Sequence, residues 1–299
     1  MRLPICSSAL VAVAATVLAA CGSPAPSAPS AAPSASLAPQ PSPQADTYWL
    51  RATASQAIPP VDQFPIPPVV TITGDGTYIT VGPQDAMYPG PTLPNLIGRP
   101  ISDAGRARLL AEAQRLGLLS GQTDFTAEGG VPGGVTGRLE LTVDGQRVTL
   151  TGSPEADIQC VTTPCEAPPG TPAAFAAFWS SLQDPTWLGD AVGRGAPYVA
   201  DRYALLIGPP PPVEASVPQA ILDWPLDEPI GTFGTAVANG TRRCGSVTGD
   251  DAATLQPVLA QATQASQWVQ DPTTSATFGI VARPFVPGED PCAEWFGPA

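Results

Sequence analysis

The stretch LDWPLDEPIG gathers Asp223, Asp227 and Glu228 around Trp224. Hydrolysis of a glycosidic bond needs two carboxylates flanking the scissile linkage, and an aromatic face commonly holds the sugar. Acids beside prolines also cap turns, and their spacing here fixes neither their separation nor their protonation, so no catalytic residue is assigned. Asp250 and Asp251 offer oxygen ligands for calcium, but no regular series of further ligands follows them. At the start of a helical pattern they suit the positive end of the helix dipole, and neither metal nor cofactor is expected. Trp179, Trp187, Trp268 and Trp295 are either stacking platforms for a glycan or peptide, or anchors of the core.

The residue types that are missing exclude more chemistry than those present suggest. All 13 basic residues are arginine, with no lysine and no histidine. Histidine-dependent nucleophiles and zinc sites, lysine Schiff bases and phosphate-binding P-loops are therefore ruled out. A formal charge of −13 leaves no basic surface to neutralise phosphates, so nucleic acid is not an expected partner.

The amino-terminal region carries an address. A charge at Arg2 precedes an uncharged apolar run from Ala9 to Ala20. That run is too short to span a bilayer but has the length of a signal-peptide core. Leu18, Ala19, Ala20 and Cys21 resemble the lipobox of bacterial lipoproteins. The resemblance implies cleavage before Cys21, a diacylglyceryl group on its thiol, and anchoring at the extracytoplasmic side of the cell membrane. Residues 22–45 contain no charged or aromatic side chain, so they cannot bury enough apolar area to offset ordering. Their prolines favour an extended spacer. Further on, AMYPGPTLPNL, RRCG and RPFVPGEDPC resemble segments of uncharacterised secreted lipoproteins of GC-rich bacteria. That likeness implies an extracytoplasmic α+β module and supplies no catalytic residue.

With Cys6 removed and Cys21 lipidated, Cys160, Cys165, Cys244 and Cys292 remain. Outside the cytoplasm four cysteines read as two disulfides, with three possible pairings. Cys160 with Cys165 and Cys244 with Cys292 close the smallest loops and are favoured; Cys244 and Cys292 stand too isolated for a four-cysteine metal site.

These groups must be positioned by an α+β fold: antiparallel sheets of β-hairpins, each covered by a helix and stapled by disulfides, with the match of LLAEAQ (109–114) to VLAQAT (258–263) suggesting two similar halves. VVTITGDGTYITV predicts a hairpin turning at Asp75-Gly76, with Ile72 opposite Ile79 and Val70 opposite Val81. RLELTVDGQRVTLTG predicts another turning at Asp144-Gly145, with Leu141 opposite Val148 and Leu139 opposite Leu150. ISDAGRARLLAEAQRLGLL predicts a helix capped near Ser102 or Asp103, apolar at Leu109, Leu110, Ala113 and Leu116, and stopped at Gly117. GDDAATLQPVLAQATQASQW predicts a second, with Leu255, Val258, Leu259, Ala262 and Ala265 inward and Pro257 delaying its start. TPAAFAAFWSSLQ predicts a helix from Thr171-Pro172, and RYALLIG a buried strand. The expected divisions are a signal peptide at 1–20, lipidated Cys21 and linker at 21–45, a hairpin-helix-hairpin unit at 46–155, a cysteine loop and helix at 156–195, and a strand-helix-strand unit at 196–299. The function that follows is a lipid-anchored binding or interaction module of the envelope, its partner a protein or glycan. A carboxylate-dependent glycan hydrolase, and an inhibitor presenting loop 160–169 to secreted hydrolases, are the alternatives.

Overall fold

The computed structural model describes residues 47–84, 88–129, 134–156, 164–212, 216–217, 219–270, 273 and 276–297. The segments expected to be a signal peptide (1–20) and a lipidated Cys21 with its linker (21–45), and Cys160, lie outside them. All described residues belong to one compact unit, Pro41–Ala299.

The fold is α+β. Eight strands form the larger sheet: β1 (Tyr48–Ser55), β2 (Val70–Thr73), β3 (Thr77–Val81), β4 (Leu96–Pro100), β5 (Asp124–Phe125), β6 (Thr136–Val143), β7 (Gln146–Gly152) and β8 (Ala196–Pro197). Their order is β5-β7-β6-β1-β2-β3-β4-β8, antiparallel except where β5 joins β7. Three helices accompany them: α1 (Pro60–Gln63), α2 (Asp103–Arg115) and α3 (Pro172–Gln183).

Strand alternation decides which face is buried. Leu50 and Ala52 of β1, Leu139 and Leu141 of β6 and Leu150 of β7 point to one face, where Leu109 and Ala113 of α2 and Phe175, Phe178 and Leu182 of α3 cover them. Each large apolar side chain so covered contributes about 1.5–3 kcal/mol. Both helices start as their sequences dictate: Ser102 Oγ accepts from the Gly105 amide and Thr171 Oγ1 from the Ala174 amide. Pro172 occupies the first turn of α3, where a missing N–H costs nothing.

The β6–β7 hairpin has the expected register, Leu139 with Leu150 and Leu141 with Val148, because Asp144 and Gly145 both take positive φ and form a two-residue turn. The β2–β3 hairpin is shifted by one residue: Ile72 lies opposite Tyr78, Thr71 opposite Ile79 and Val70 opposite Thr80. Its loop closes over three residues, with the Gly76 amide donating to the Thr73 carbonyl and the Thr77 amide to Thr73 Oγ1 at 2.8 Å. A one-residue shift reverses the faces of β3. Tyr78, not Ile79, joins Ile72 in the core, and its hydroxyl donates to the Leu182 carbonyl of α3.

The second sheet comprises β9 (Arg202–Gly208), β11 (Thr235–Val237), β12 (Arg242–Thr248) and β14 (Gly279–Pro284) in the antiparallel order β11-β12-β9-β14. Beside it, β10 (Ile221–Asp223) and β13 (Gln267–Val269) form a parallel pair. Helix α4 (Gly249–Leu259) covers one face through Leu255 and Leu259, packed with Tyr203, Leu205 and Ile207 of β9. Ala204 and Leu206 point the other way, to Phe64 beside α1 and to Trp295 and Phe296 of α5 (Pro291–Phe296).

Pro257 does not delay α4; the helix begins at Gly249 and Pro257 sits in its last turn. There its ring and Ala253, whose carbonyl loses an amide partner, are both exposed, so water can serve that carbonyl.

The two sheets share one feature: the second strand after the helix, β6 after α2 and β14 after α4, returns antiparallel to the first strand, β1 or β9. On the other side the orders differ, since β1 is flanked by the next strand in the chain and β9 by β12. β8, at the start of the 196–299 segment, pairs with β4 of the 46–155 segment, and Phe64 of the latter packs with Ala204 and Leu206 of β9.

Cys244 and Cys292 are disulfide-bonded, tying β12 to α5. Cys165 is also disulfide-bonded and is buried; its expected partner Cys160 lies outside the described residues.

Candidate functional site

The outward face of the larger sheet carries the residues that alternate with its core positions: Arg51 and Thr53 on β1, Arg138 and Glu140 on β6. The β1–β6 register sets Arg51 directly opposite Glu140 and Thr53 opposite Arg138. An irregularity between Tyr48 and Leu50 turns Tyr48 to this same face, where its hydroxyl donates to Glu140 Oε2 at 3.2 Å. The carboxyl-terminal segment packs over these residues and supplies Gly288, Glu289, Glu294 and Trp295.

Their convergence leaves a pocket of about 360 Å³, lined by Arg51, Arg138, Arg283, Glu294 and Trp295 and walled on its apolar side by Ile66 with Pro67 and Pro68. Arg51 donates from Nε and Nη2 to Glu140 Oε2 at 3.2 and 3.1 Å, and from Nη1 to the Gly288 carbonyl and Glu294 Oε1 at 2.9 and 3.0 Å. Arg138 Nη2 donates to the other Glu140 oxygen at 3.0 Å. Arg283 is 2 % exposed; it pairs with Glu289 and donates to the Phe64 carbonyl at 3.3 Å.

Electrostatics separate the two buried carboxyls. Burial works to raise Glu140, but hydrogen bonds and charge from Arg138 and Arg51 outweigh it and hold this group below the usual carboxylate range. Burial raises Glu289 in spite of Arg283 and the Val286 amide. The pocket is thus built from fixed, mutually paired charges. Two further donors in its walls, Arg283 Nε and Trp295 Nε1, are buried without an acceptor among the described residues.

The acids of LDWPLDEPIG are placed differently. Asp223, Asp227 and Glu228 are all exposed, and none of them lines this pocket. Trp224 is buried, edge-on to Phe233 and Trp268 with ring centroids 5.6 and 6.4 Å away, and its Nε1 donates to the Glu228 carbonyl. The aromatic face that a sugar would need between those acids is turned into the core. Asp250 and Asp251 lie exposed in the first turn of α4. Among the described residues, no three acidic or cysteine side chains are grouped to hold a metal ion. Trp179 and Trp268 are core residues, and Trp187 is half-buried with its Nε1 bonded to the Ser181 carbonyl. Of the four tryptophans singled out in the sequence, Trp295 lines the pocket. Within the loop 160–169 weighed as inhibitory, Cys165 is held down by Arg115, whose Nη2 donates to its carbonyl at 3.2 Å.

Arg51, Arg138, Arg283 and Glu294 carried no site assignment in the sequence. One signal did mark the place: Arg283 interrupts an apolar strand in GIVARPF, and a charge buried in a strand needs a partner.

No protein-family model, no curated protein and no solved structure matches this chain.

Proposed function

We propose that this chain is a binding module of the bacterial cell envelope, tethered through a lipid on Cys21, and that the Arg51–Arg138–Arg283 pocket receives an uncharged, hydroxyl-rich envelope glycan. The observation that carries the reading is the composition of that pocket. Three of the chain's 13 arginines meet there, offset one for one by Glu140, Glu289 and Glu294. Such a balance gives a polyanion little to gain, whereas fixed donors and acceptors suit hydroxyl groups. Arg138 is 56 % exposed and keeps Nε and Nη1 without a partner among the described residues. Ile66 and the two prolines beside it supply the apolar surface on which a sugar's C–H faces can rest.

Calorimetric titration of the protein with oligosaccharides released from bacterial envelopes tests the site. Binding weakened about tenfold by Arg138→Gln is expected. Absence of binding to every fraction, or equal affinity in the variant, overturns it. Mass spectrometry of the chain isolated from bacterial membranes tests the anchor separately: a diacylglyceryl-modified Cys21 at the new amino terminus is expected, and a bare terminus refutes it.

A further inference from the structure

A second cavity, of about 270 Å³, opens at one end of the smaller sheet and has a different chemical character. Its apolar floor is Ile207, Ile230 and Phe278, and its charged lining residues are Arg242 and Arg243, with no carboxylate among the lining residues. Arg243 is occupied in holding the chain, donating from Nε to the Phe233 carbonyl at 3.0 Å and from Nη2 to the Gly234 carbonyl. Arg242 is half-buried, and among the described residues its guanidinium has neither a hydrogen-bond acceptor nor an ion-pair partner.

That is an unusual state for a cation here. The protein carries 26 acidic side chains against 13 arginines, and Arg51, Arg115, Arg138 and Arg283 each engage a glutamate. Gly208 makes the arrangement possible: a Cβ there would come within 2.9 Å of both Cγ and Nη1 of Arg242. The bare backbone at the end of β9 therefore lets the arginine lie across it beside the apolar floor.

We propose that this cavity binds a small apolar carboxylate, its charged head on Arg242 and its hydrocarbon body on Ile207, Ile230 and Phe278. A planar guanidinium takes a carboxylate through two parallel hydrogen bonds, and a site flanked by apolar walls strengthens them by excluding water. The volume lies just under the range of about 300–1,000 Å³ typical of drug-sized ligands, so the occupant is a single residue or its equivalent. Two sources present this chemistry: the carboxyl-terminal residue of a peptide, and a free aryl or alkyl carboxylic acid. The site is independent of the glycan pocket.

The test titrates the full-length protein with N-acetylphenylalanine, with its uncharged amide, and with 3-phenylpropionate, alongside Arg242→Gln, Gly208→Ala and, as control, Arg138→Gln. The acid should bind at least about tenfold more tightly than the amide, and Arg242→Gln should abolish that difference while leaving the thermal midpoint unchanged. Gly208→Ala should weaken acid binding, because it displaces the arginine without removing it. Arg138→Gln should leave it unaltered. Tighter binding of N-acetylphenylalanine than of 3-phenylpropionate supports a peptide terminus, and the reverse supports a free acid. Equal affinity for acid and amide, acid binding retained within about twofold in Arg242→Gln, or no binding up to about 10 mM overturns the proposal.

Discussion

Phe175 of α3 packs against the backbone of Gly152 so closely that a Cβ at Gly152 would stand 2.6 Å from its ring carbons. Directly across the β6–β7 pair, Gly137 meets Phe175 and Trp179 in the same way, at 3.0 Å. The two glycines form a smooth seat for the aromatic end of α3. Gly152→Ala should cost about 1–3 kcal/mol by forcing the rings off that seat, read as a lower urea midpoint with an unchanged slope.

Arg283 and Glu289 pair with side chains only 2 % and 0 % exposed. Removing one partner strands the other charge, so Arg283→Met should destabilise by about 3–5 kcal/mol. The double variant Arg283→Met/Glu289→Leu should be more stable than either single variant's loss would predict, with a coupling of about 2 kcal/mol in a double-mutant cycle. Additive losses would mean that the pair contributes nothing as a pair.

Glu140 has a depressed carboxyl pKa, so its stabilisation is present above the ordinary glutamate value and disappears as pH falls through the depressed one. Glu140→Gln should therefore cost about 3 kcal/mol near pH 7 and progressively less as pH falls through the depressed value, where wild type becomes protonated as well. Glu289 runs the other way. Its raised value means that the fold favours the neutral acid, so Glu289→Gln should be better tolerated, relative to wild type, as pH rises through that value. Urea midpoints of the three proteins across this range decide both signs.

The Cys244–Cys292 bridge closes a sequence separation of 48 residues. In the chain-entropy model that loop is worth about 4 kcal/mol. The double variant Cys244→Ala/Cys292→Ala should lose about that much. Hydrogen exchange should accelerate first at α5, a short helix otherwise held by Phe64 against Phe296, ring centroids 6.1 Å apart, and by Arg51 on Glu294.

What the sequence expressed well is what the chain decides within a few residues. Asp144-Gly145 takes positive φ at both positions and so selects a two-residue turn and a register. Ser102 and Thr171 have side-chain oxygens that satisfy the first free amides of their helices. RLELTV turns its leucines to one face because strand side chains alternate. The slip at Gly74-Asp75-Gly76 arose because a Gly-Asp-Gly sequence admits loops of two or three residues. Thr73, through its bonds to Gly76 and Thr77, chose the longer one.

The pocket could not be read in that way. Arg51 and Glu140 are 89 positions apart, Arg51 and Glu294 243. Nothing local specifies that β6 returns beside β1, or that the last helix folds back over both. Alternation told which side chains leave the core, but their partners depended on the strand order and on the path of the carboxyl-terminal segment. Those are set by how the two sheets bury their remaining apolar faces, a property of the whole chain. The sequence by itself determined the inventory: arginine as the sole basic residue, cysteines able to staple, strands and helices with one face to cover. Only the tertiary structure decided that the acids of LDWPLDEPIG face water while Arg283 is drawn inside, because burial energy is summed over contacts that no short window contains.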